Sequence, residues 1–317
     1  MRAERPVRHA DRVQQAIAGD APARSALAAS WRRSSALHKL DPSARAEPRR
    51  LSVPELAAAR ERSGLLLHAA QASLDRLFQA VGSVGCCVLL ADSDGVPVDR
   101  RGAPGDDANF RDWGLWVGSV WSEAAEGTNG IGTCIVEQRT LAIHRDQHFL
   151  TRNTGLSCVT APVFDHEGRL AAALDVSSCR ADTTEAFLGL ITVAAQDAAR
   201  RIEAEAFRLA FPDARIVVAP GAGAAAGGLI AVDADDVVIG VSRAARQSLG
   251  MPPAGPARPR PLSDVLGFAS GGDLDDAERG AVQRAMVRAG GNASAAARSL
   301  GISRATLYRK LNRFQLL

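Results

Sequence analysis

Three groups of side chains in this chain have the types and spacing to do chemistry. They are a basic run near its end, a set of thiols and imidazoles in its middle, and a glycine-rich phrase in that same middle region. In the first group, Arg279, Arg284, Arg288, Arg298, Arg304, Arg309, Lys310 and Arg313 stand with no acidic residue from 279 to 317, so the segment carries +8. The whole chain carries only +3, which leaves residues 1–278 at −5. A mildly acidic body with a cationic end suits a separate nucleic-acid module, because neutralising phosphates supplies affinity that does not depend on sequence.

The second group promises less. Cys86, Cys87, Cys134, Cys158 and Cys179 make an odd count, and neither they nor His144, His148 and His166 show compact ligand spacing. No metal is expected, no cofactor and no catalytic set. Cys86 and Cys87 are neighbours in an expected strand, where adjacent side chains face opposite ways, so the thiols read as buried and inert. The glycine phrase, Glu126-Gly127-Thr128-Asn129-Gly130-Ile131-Gly132, allows tight backbone turns. It lacks the Lys-Ser/Thr ending of a phosphate loop and the strand-to-helix setting of a dinucleotide fingerprint.

Several elements must position these groups. An arginine-rich helical start runs around Val13 to Leu37, and a second helical pattern repeats Leu56, Leu65, Leu66, Ala69, Leu74, Leu77, Phe78 and Val81 at three- and four-residue spacing. Short apolar runs then predict strands at Val84–Ala91, Val96–Arg100, Thr140–His144, Ser157–Phe164 and Arg169–Val176, with a closing helix from about Glu185 to Arg208. The resulting fold class is α+β, an antiparallel sheet with flanking helices. A shorter strand-turn-strand-helix unit follows from Leu229 to Leu249, too small for a comfortable core of its own. Met251 to Pro261 is proline-rich and reads as a stiff linker.

Composition sets outer limits. With 317 residues, two or three domains fit, and 46% apolar with 23% charged residues is ordinary for a globular protein. Arg2, Arg5, Arg8 and Arg12 are followed by no apolar stretch, so no secretory signal is expected. No apolar run approaches the ~20 residues of a membrane helix, and a cytoplasmic protein is expected.

In the basic segment, Asp273, Asp275, Asp276 and Glu278 open a helix that Gly290-Gly291 ends; Asn292 or Ser294 caps the next; Gly301 supplies a turn, and Ser303 caps the last. A helical wheel of that last helix places Leu307, Leu311 and Phe314 on one face, with Ala305, Arg309 and Asn312 on the other. The run Gly291-Asn292-x-Ser294-x-Ala296-Ala297-Arg298-x-Leu300-Gly301-Ile302-Ser303-Arg304-x-Thr306-Leu307-Tyr308-Arg309-Lys310-Leu311 resembles the Fis-type DNA-binding domain. That resemblance implies double-stranded DNA as partner, a homodimer, and a helix-turn-helix. The expected DNA-binding residues are Asn292, Ser294, Ser303, Arg304, Thr306, Tyr308, Arg309, Lys310 and Arg313. Ser303, Arg304, Thr306 and Arg309 are the first choices for base contact.

Glu126-Gly127-Thr128-Asn129-x-Ile131-Gly132-Thr133, His148-Phe149, Cys158-x-x-Ala161-Pro162-Val163-x-Asp165 and Leu174-Asp175-x-Ser177 resemble the GAF domain of acetoin-catabolism-type activators, a sigma-54 activator subgroup. Ser30-Trp31-Arg32-Arg33 and Leu40-Asp41-Pro42 extend the likeness. It implies a sensory fold with a pocket for a small-molecule effector; Trp113, Trp116, Trp121, Asn129, Cys134 and Cys158 are candidate lining residues. The unit at 229–249 faintly resembles the start of a PAS domain.

Full-length relatives carry an AAA+ ATPase between sensor and DNA-binding domain, whereas this chain has no Gly-x-x-x-x-Gly-Lys-Ser/Thr loop. The expected arrangement is an N-terminal helical region (1–55), a GAF-like sensor (56–208), a degenerate PAS-like unit (209–251), a proline-rich linker (252–271) and the Fis-type domain (272–317). Its expected function is DNA-binding regulation without its own ATPase, with contact to RNA polymerase or to a full-length activator. Two alternatives are a GAF-fold thiol enzyme of the free methionine sulfoxide reductase kind and a nucleoid-like architectural DNA binder.

Overall fold

In the computed structural model, which describes residues 8–19, 25–45, 47–221, 227–267 and 274–316, the long helical patterns break where the sequence offers caps. Helix α1 (His9–Ala18) and helix α2 (Ala26–Arg32) are separate, and α2 continues through a wider helical turn at Arg33–Leu37. The single helical start expected over Val13 to Leu37 is therefore two helices; residues 20–24 between them lie outside the described residues. Ser52 and Glu55 form a reciprocal capping box that starts α3 (Val53–Arg62). Helix α4 (Gly64–Val81) follows and buries Leu66, Ala69, Leu74, Leu77 and Val81 along one stripe.

The sheet is built from β1 (Cys86–Asp92) and β2 (Pro97–Arg101), then, after α5 (Asp107–Asp112), α6 (Glu123–Glu126) and α7 (Gly130–Glu137), from β3 (Leu141–His144), β4 (Ser157–Phe164) and β5 (Leu170–Ser178). The strands lie in the order β2-β1-β5-β4-β3, every pair antiparallel. Alternation along the strands divides the core in two. Cys86, Val88, Leu90, Val159 and Leu174 face α4 and α8 (Glu185–Ala210). Cys87, Leu89, Cys158 and Ala173 face the opposite layer, where Phe110, Leu115, Trp121, Ile131 and Cys134 pack. Each fully buried leucine here contributes about 1.5–3 kcal/mol.

The glycine phrase departs most from the expectation of turns. Only Gly127 is left-handed, at φ 63°; Gly130 and Gly132 lie inside α7. Their role is close approach: a Cβ on Gly132 would sit 2.4 Å from the backbone nitrogen of Glu123, and one on Gly130 would sit 2.5 Å from Thr160 Oγ1.

Beyond α8, β6 (Arg215–Val218), β7 (Leu229–Val232) and β8 (Val238–Val241) form a small antiparallel sheet, followed by α9 (Arg243–Ser248). Strand β6 was not anticipated, being only four residues, Arg-Ile-Val-Val, beside a polar turn. This sheet borrows its core from α8: Leu229 and Ala231 pack on Phe207. The proline-rich segment is irregular, yet it is fastened. Buried Arg246 donates from Nε to the Val241 carbonyl at 3.0 Å and from Nη1 to that of Pro252 at 3.3 Å, and Gly255 N–H donates to the Glu167 carbonyl at 2.9 Å.

The chain divides into two compact units, Met1–Leu262 and Ser263–Leu317. Among its described residues the second holds α10 (Leu274–Arg288), α11 (Ala293–Ser299) and α12 (Arg304–Arg313). Asp273, read as part of the acidic start of α10, lies outside the described residues.

Candidate DNA-binding face and sensor layer

Small side chains on α11 let the three C-terminal helices approach closely: Ala296 and Ala297 are buried with Val282, Ala285, Leu307 and Leu311. Gly301, at φ 67°, turns the chain between α11 and α12. Ser303 then caps α12, its Oγ accepting from Thr306 N–H at 3.1 Å. Leu307 and Leu311 fill the core and Phe314 is half-buried, which leaves Arg304, Ala305, Tyr308, Arg309 and Asn312 exposed on the far side. Arg304 lies over the Tyr308 ring at 5.5 Å, and Arg309 Nη2 donates to Thr306 Oγ1 at 3.3 Å.

The remaining expected contacts are engaged within the unit. Asn292 caps α11, accepting from the N–H groups of Ser294 and Ala295 at 3.1 Å each, and Ser294 is half-buried. Lys310 pairs with Glu278, while Arg313 pairs with Asp275 and sits 3.7 Å from Glu278. Sequence reading placed Asp275 and Glu278 at a helix start but not opposite α12. The signal was present only as charge: two acids on one helix and two bases on another.

In the first unit the three tryptophans expected to line a pocket occupy different settings. Trp121 is 1% exposed and donates from Nε1 to the Gly114 carbonyl at 2.8 Å. Trp113 is half-buried against the same core, and Trp116 stacks between the guanidinium groups of Arg100 and Arg111, each 4.2 Å from its ring. Asn129 caps α7, accepting from Gly132 N–H at 2.9 Å. Cys134, on α7, and Cys158, on β4, are buried in the core between that helix and the sheet.

Cys158 belongs to a sealed polar chain. Its Sγ lies 3.6 Å from His148 Nε2 and 3.0 Å from Ser177 Oγ, and Ser177 donates to Asp175 Oδ2 at 2.6 Å. Thr160 donates to the other oxygen at 2.5 Å. Burial pushes the Asp175 carboxyl up to about 6, lowers His148 to about 4, and pushes the thiols of Cys134 and Cys158 well up. These thiols are protonated at neutral pH, and a thiolate nucleophile has no support here. Among the described residues no group of three or more His, Cys, Asp or Glu side chains could hold a metal ion.

A cavity of about 200 Å³ lies beside α2, α7 and β3, lined by Ser30, Thr128, Thr133, Glu137, Arg139 and Gln147 among others. None of the six expected pocket residues lines it. Sequence reading also missed Glu123, 2% exposed, which accepts from Arg33 Nε at 2.7 Å. The Ser-Trp-Arg-Arg phrase held one partner, but nothing local linked it to a carboxylate so far along the chain.

This geometry agrees with comparisons to known proteins. Residues 66–202 match the GAF domain, and residues 273–314 match the bacterial regulatory protein Fis family. The chain thus joins a GAF domain to a Fis-type helix-turn-helix. Among curated relatives, the acetoin catabolism regulatory protein of Cupriavidus necator is 39% identical over 149 residues, 47% of this chain and 22% of that protein. The acetoin dehydrogenase operon transcriptional activator AcoR of Bacillus subtilis is 28% identical over 193 residues, 61% of this chain and 32% of that protein. The matched part of the chain therefore spans about a quarter to a third of these relatives. The solved structure of the E. coli DhaR(N)-DhaL complex shares the fold, with a TM-score of 0.52 and 18% identity over 75% of this chain and 80% of that one. No helix among the described residues is long and apolar enough to cross a membrane.

Proposed function

We propose that this protein is a transcriptional regulator whose GAF domain senses a small molecule and whose helix-turn-helix binds specific DNA, with DNA binding itself as the output. The observation that carries the reading is α12. It buries Leu307 and Leu311, its first turn is capped by Ser303, and its opposite face offers Arg304, Tyr308, Arg309 and Asn312. Such a helix presents its amino-terminal side chains to base edges while neighbours meet phosphates. The relatives, one named as an acetoin catabolism regulatory protein and one as an acetoin dehydrogenase operon transcriptional activator, support a regulatory role.

The protein binds as a homodimer on this reading, with two modules spaced about one DNA turn apart. Lacking a phosphate-binding loop in its sequence, the chain acts through polymerase contacts, through repression, or by assisting a full-length activator. Genome-wide mapping of bound sites, followed by anisotropy on a recovered site and on random DNA, tests this. Tighter binding to the recovered site by a factor of ~10³ or more supports it; equal affinity for both would leave only an architectural binder.

A further inference from the structure

On strand β2, Arg100 and Arg101 are neighbours with opposite fates. Arg101 pairs with Val88 in the register and reaches α4, where every side-chain nitrogen is occupied. Nε donates to Asp75 at 2.5 Å, Nη1 to Asp99 at 2.9 Å and Nη2 to Gln71 at 2.7 Å. Arg100 pairs with Leu89 and so faces the other layer, the one that contains Phe110 and Trp121. Its side chain is only 9% exposed, and Nη1 donates to Asp107 at 2.8 Å. Nε and Nη2 are buried without a hydrogen-bond partner.

Those two nitrogens form one edge of the guanidinium plane. Their N–H bonds run parallel at the spacing of two carboxylate oxygens, the arrangement for bidentate recognition. Roughly nine in ten buried polar groups in folded proteins are hydrogen-bonded, so two unpartnered donors on one guanidinium call for an explanation, such as a bound anion or water. The group is held rather than loose: Asp107 anchors its far end, Phe110 and Trp116 flank it with ring centroids at 5.4 and 4.2 Å, and Gly102 makes room for it. A Cβ at residue 102 would fall 2.2 Å from Nη2.

We propose that the Nε–Nη2 edge of Arg100 is the recognition point for the effector, and that the effector is a small carboxylate anion. Trp116, half-buried and covered outside by exposed Arg111, is the side chain that yields to admit it. This deepens the sensing role proposed above and rests on it.

The test uses the full chain and reads binding directly. Acetate, propionate and pyruvate are each compared with the matching neutral amide at constant ionic strength. At a hundredfold excess over Kd, at least one carboxylate should raise the melting temperature by about 5 °C or more, and its amide should not. Arg100→Lys keeps the charge but loses the fork and should abolish the shift; Arg101→Lys should retain it. Gly102→Ala displaces only the end of a flexible side chain, so the fold should survive and the response should be lost. Should Arg100→Lys fold poorly, the ¹⁵N resonance of Arg100 Nε in the unaltered protein should move with the carboxylate and not with the amide. Equal response to acid and amide, or equal loss in both arginine variants, would overturn the assignment. DNA anisotropy run in parallel separates the two readings, since specific binding that persists without any carboxylate response removes the effector class and leaves the regulator.

Discussion

Arg33 and Glu123, 90 residues apart in sequence, meet at 2.7 Å, with the carboxylate almost wholly inside. Glu123 also accepts from Ser30 and from Thr133, so one buried carboxylate ties α2 to the start of α7. Glu123→Ala removes the acceptor for all three donors and should cost about 3–5 kcal/mol in urea or thermal unfolding. Arg12→Ala breaks an exposed pair with Asp146 and should cost no more than about 1 kcal/mol. Similar small losses in both variants would show that Glu123 does not fasten the amino-terminal segment.

Glu203 on α8 should make stability depend on pH. It accepts from Phe164 N–H at 3.0 Å, and burial pushes its carboxyl up to about 7 from an ordinary 4.5. The folded state therefore holds a proton that the unfolded chain has released. Its contribution is fully present below about pH 4.5 and is lost as pH rises through about 7. Glu203→Gln keeps an acceptor without the titration. Relative to the unaltered protein it should gain stability between those pH values, on the order of 2 kcal/mol. A constant difference in melting temperature across that range would refute the assignment.

Two glycines should respond to alanine in opposite directions. At Gly132 the new methyl meets backbone atoms of Glu123 and Trp121 at 2.4 and 2.6 Å, so that backbone and α7 must part; loss of a cooperative unfolding transition is expected. At Gly189, inside α8, nothing lies within 4 Å, and alanine should stabilise the helix by about 0.5–1 kcal/mol. Circular dichroism melts of both variants check this.

On DNA, Arg304→Ala should lower discrimination against altered bases by about 1–3 kcal/mol. Arg309→Ala, at the other arginine expected to meet base edges, should lower discrimination in the same way; a variant that instead weakened all sequences alike and reduced the salt slope by about one would make Arg309 a phosphate contact. Arg313→Ala should change that slope less, because its guanidinium is already paired with Asp275 and Glu278. Anisotropy titrations over a salt series distinguish the three; identical slopes for Arg309→Ala and the unaltered protein would remove the phosphate contact.

Much of the fold was legible from period and punctuation. The β4 strand follows from Ser157–Phe164 without change, and α12 follows from Ser303 with Leu307 and Leu311. What was not legible is relational. Trp121 and Trp116 have the same side chain, yet one fills the core and donates to the Gly114 carbonyl while the other lies against Arg100 of β2 and Arg111 of α5, a difference set by what the fold brings beside each. Lys310 was expected among the DNA-binding residues, and its pairing with Glu278 was not legible because that carboxylate sits on another helix. The glycines of α7 signalled turns locally, while the constraint that selects them is the backbone at Trp121–Glu123 packed against them.

Strand β2 lies at the edge of the five-stranded sheet and has β1 as its only strand partner there. Its two arginines grip opposite layers, one through Asp107 on α5 and the other through Asp75 and Gln71 on α4. The two side chains leave the strand on opposite faces, so this outermost strand is clamped by helices from both sides and not by its pairing with β1 alone.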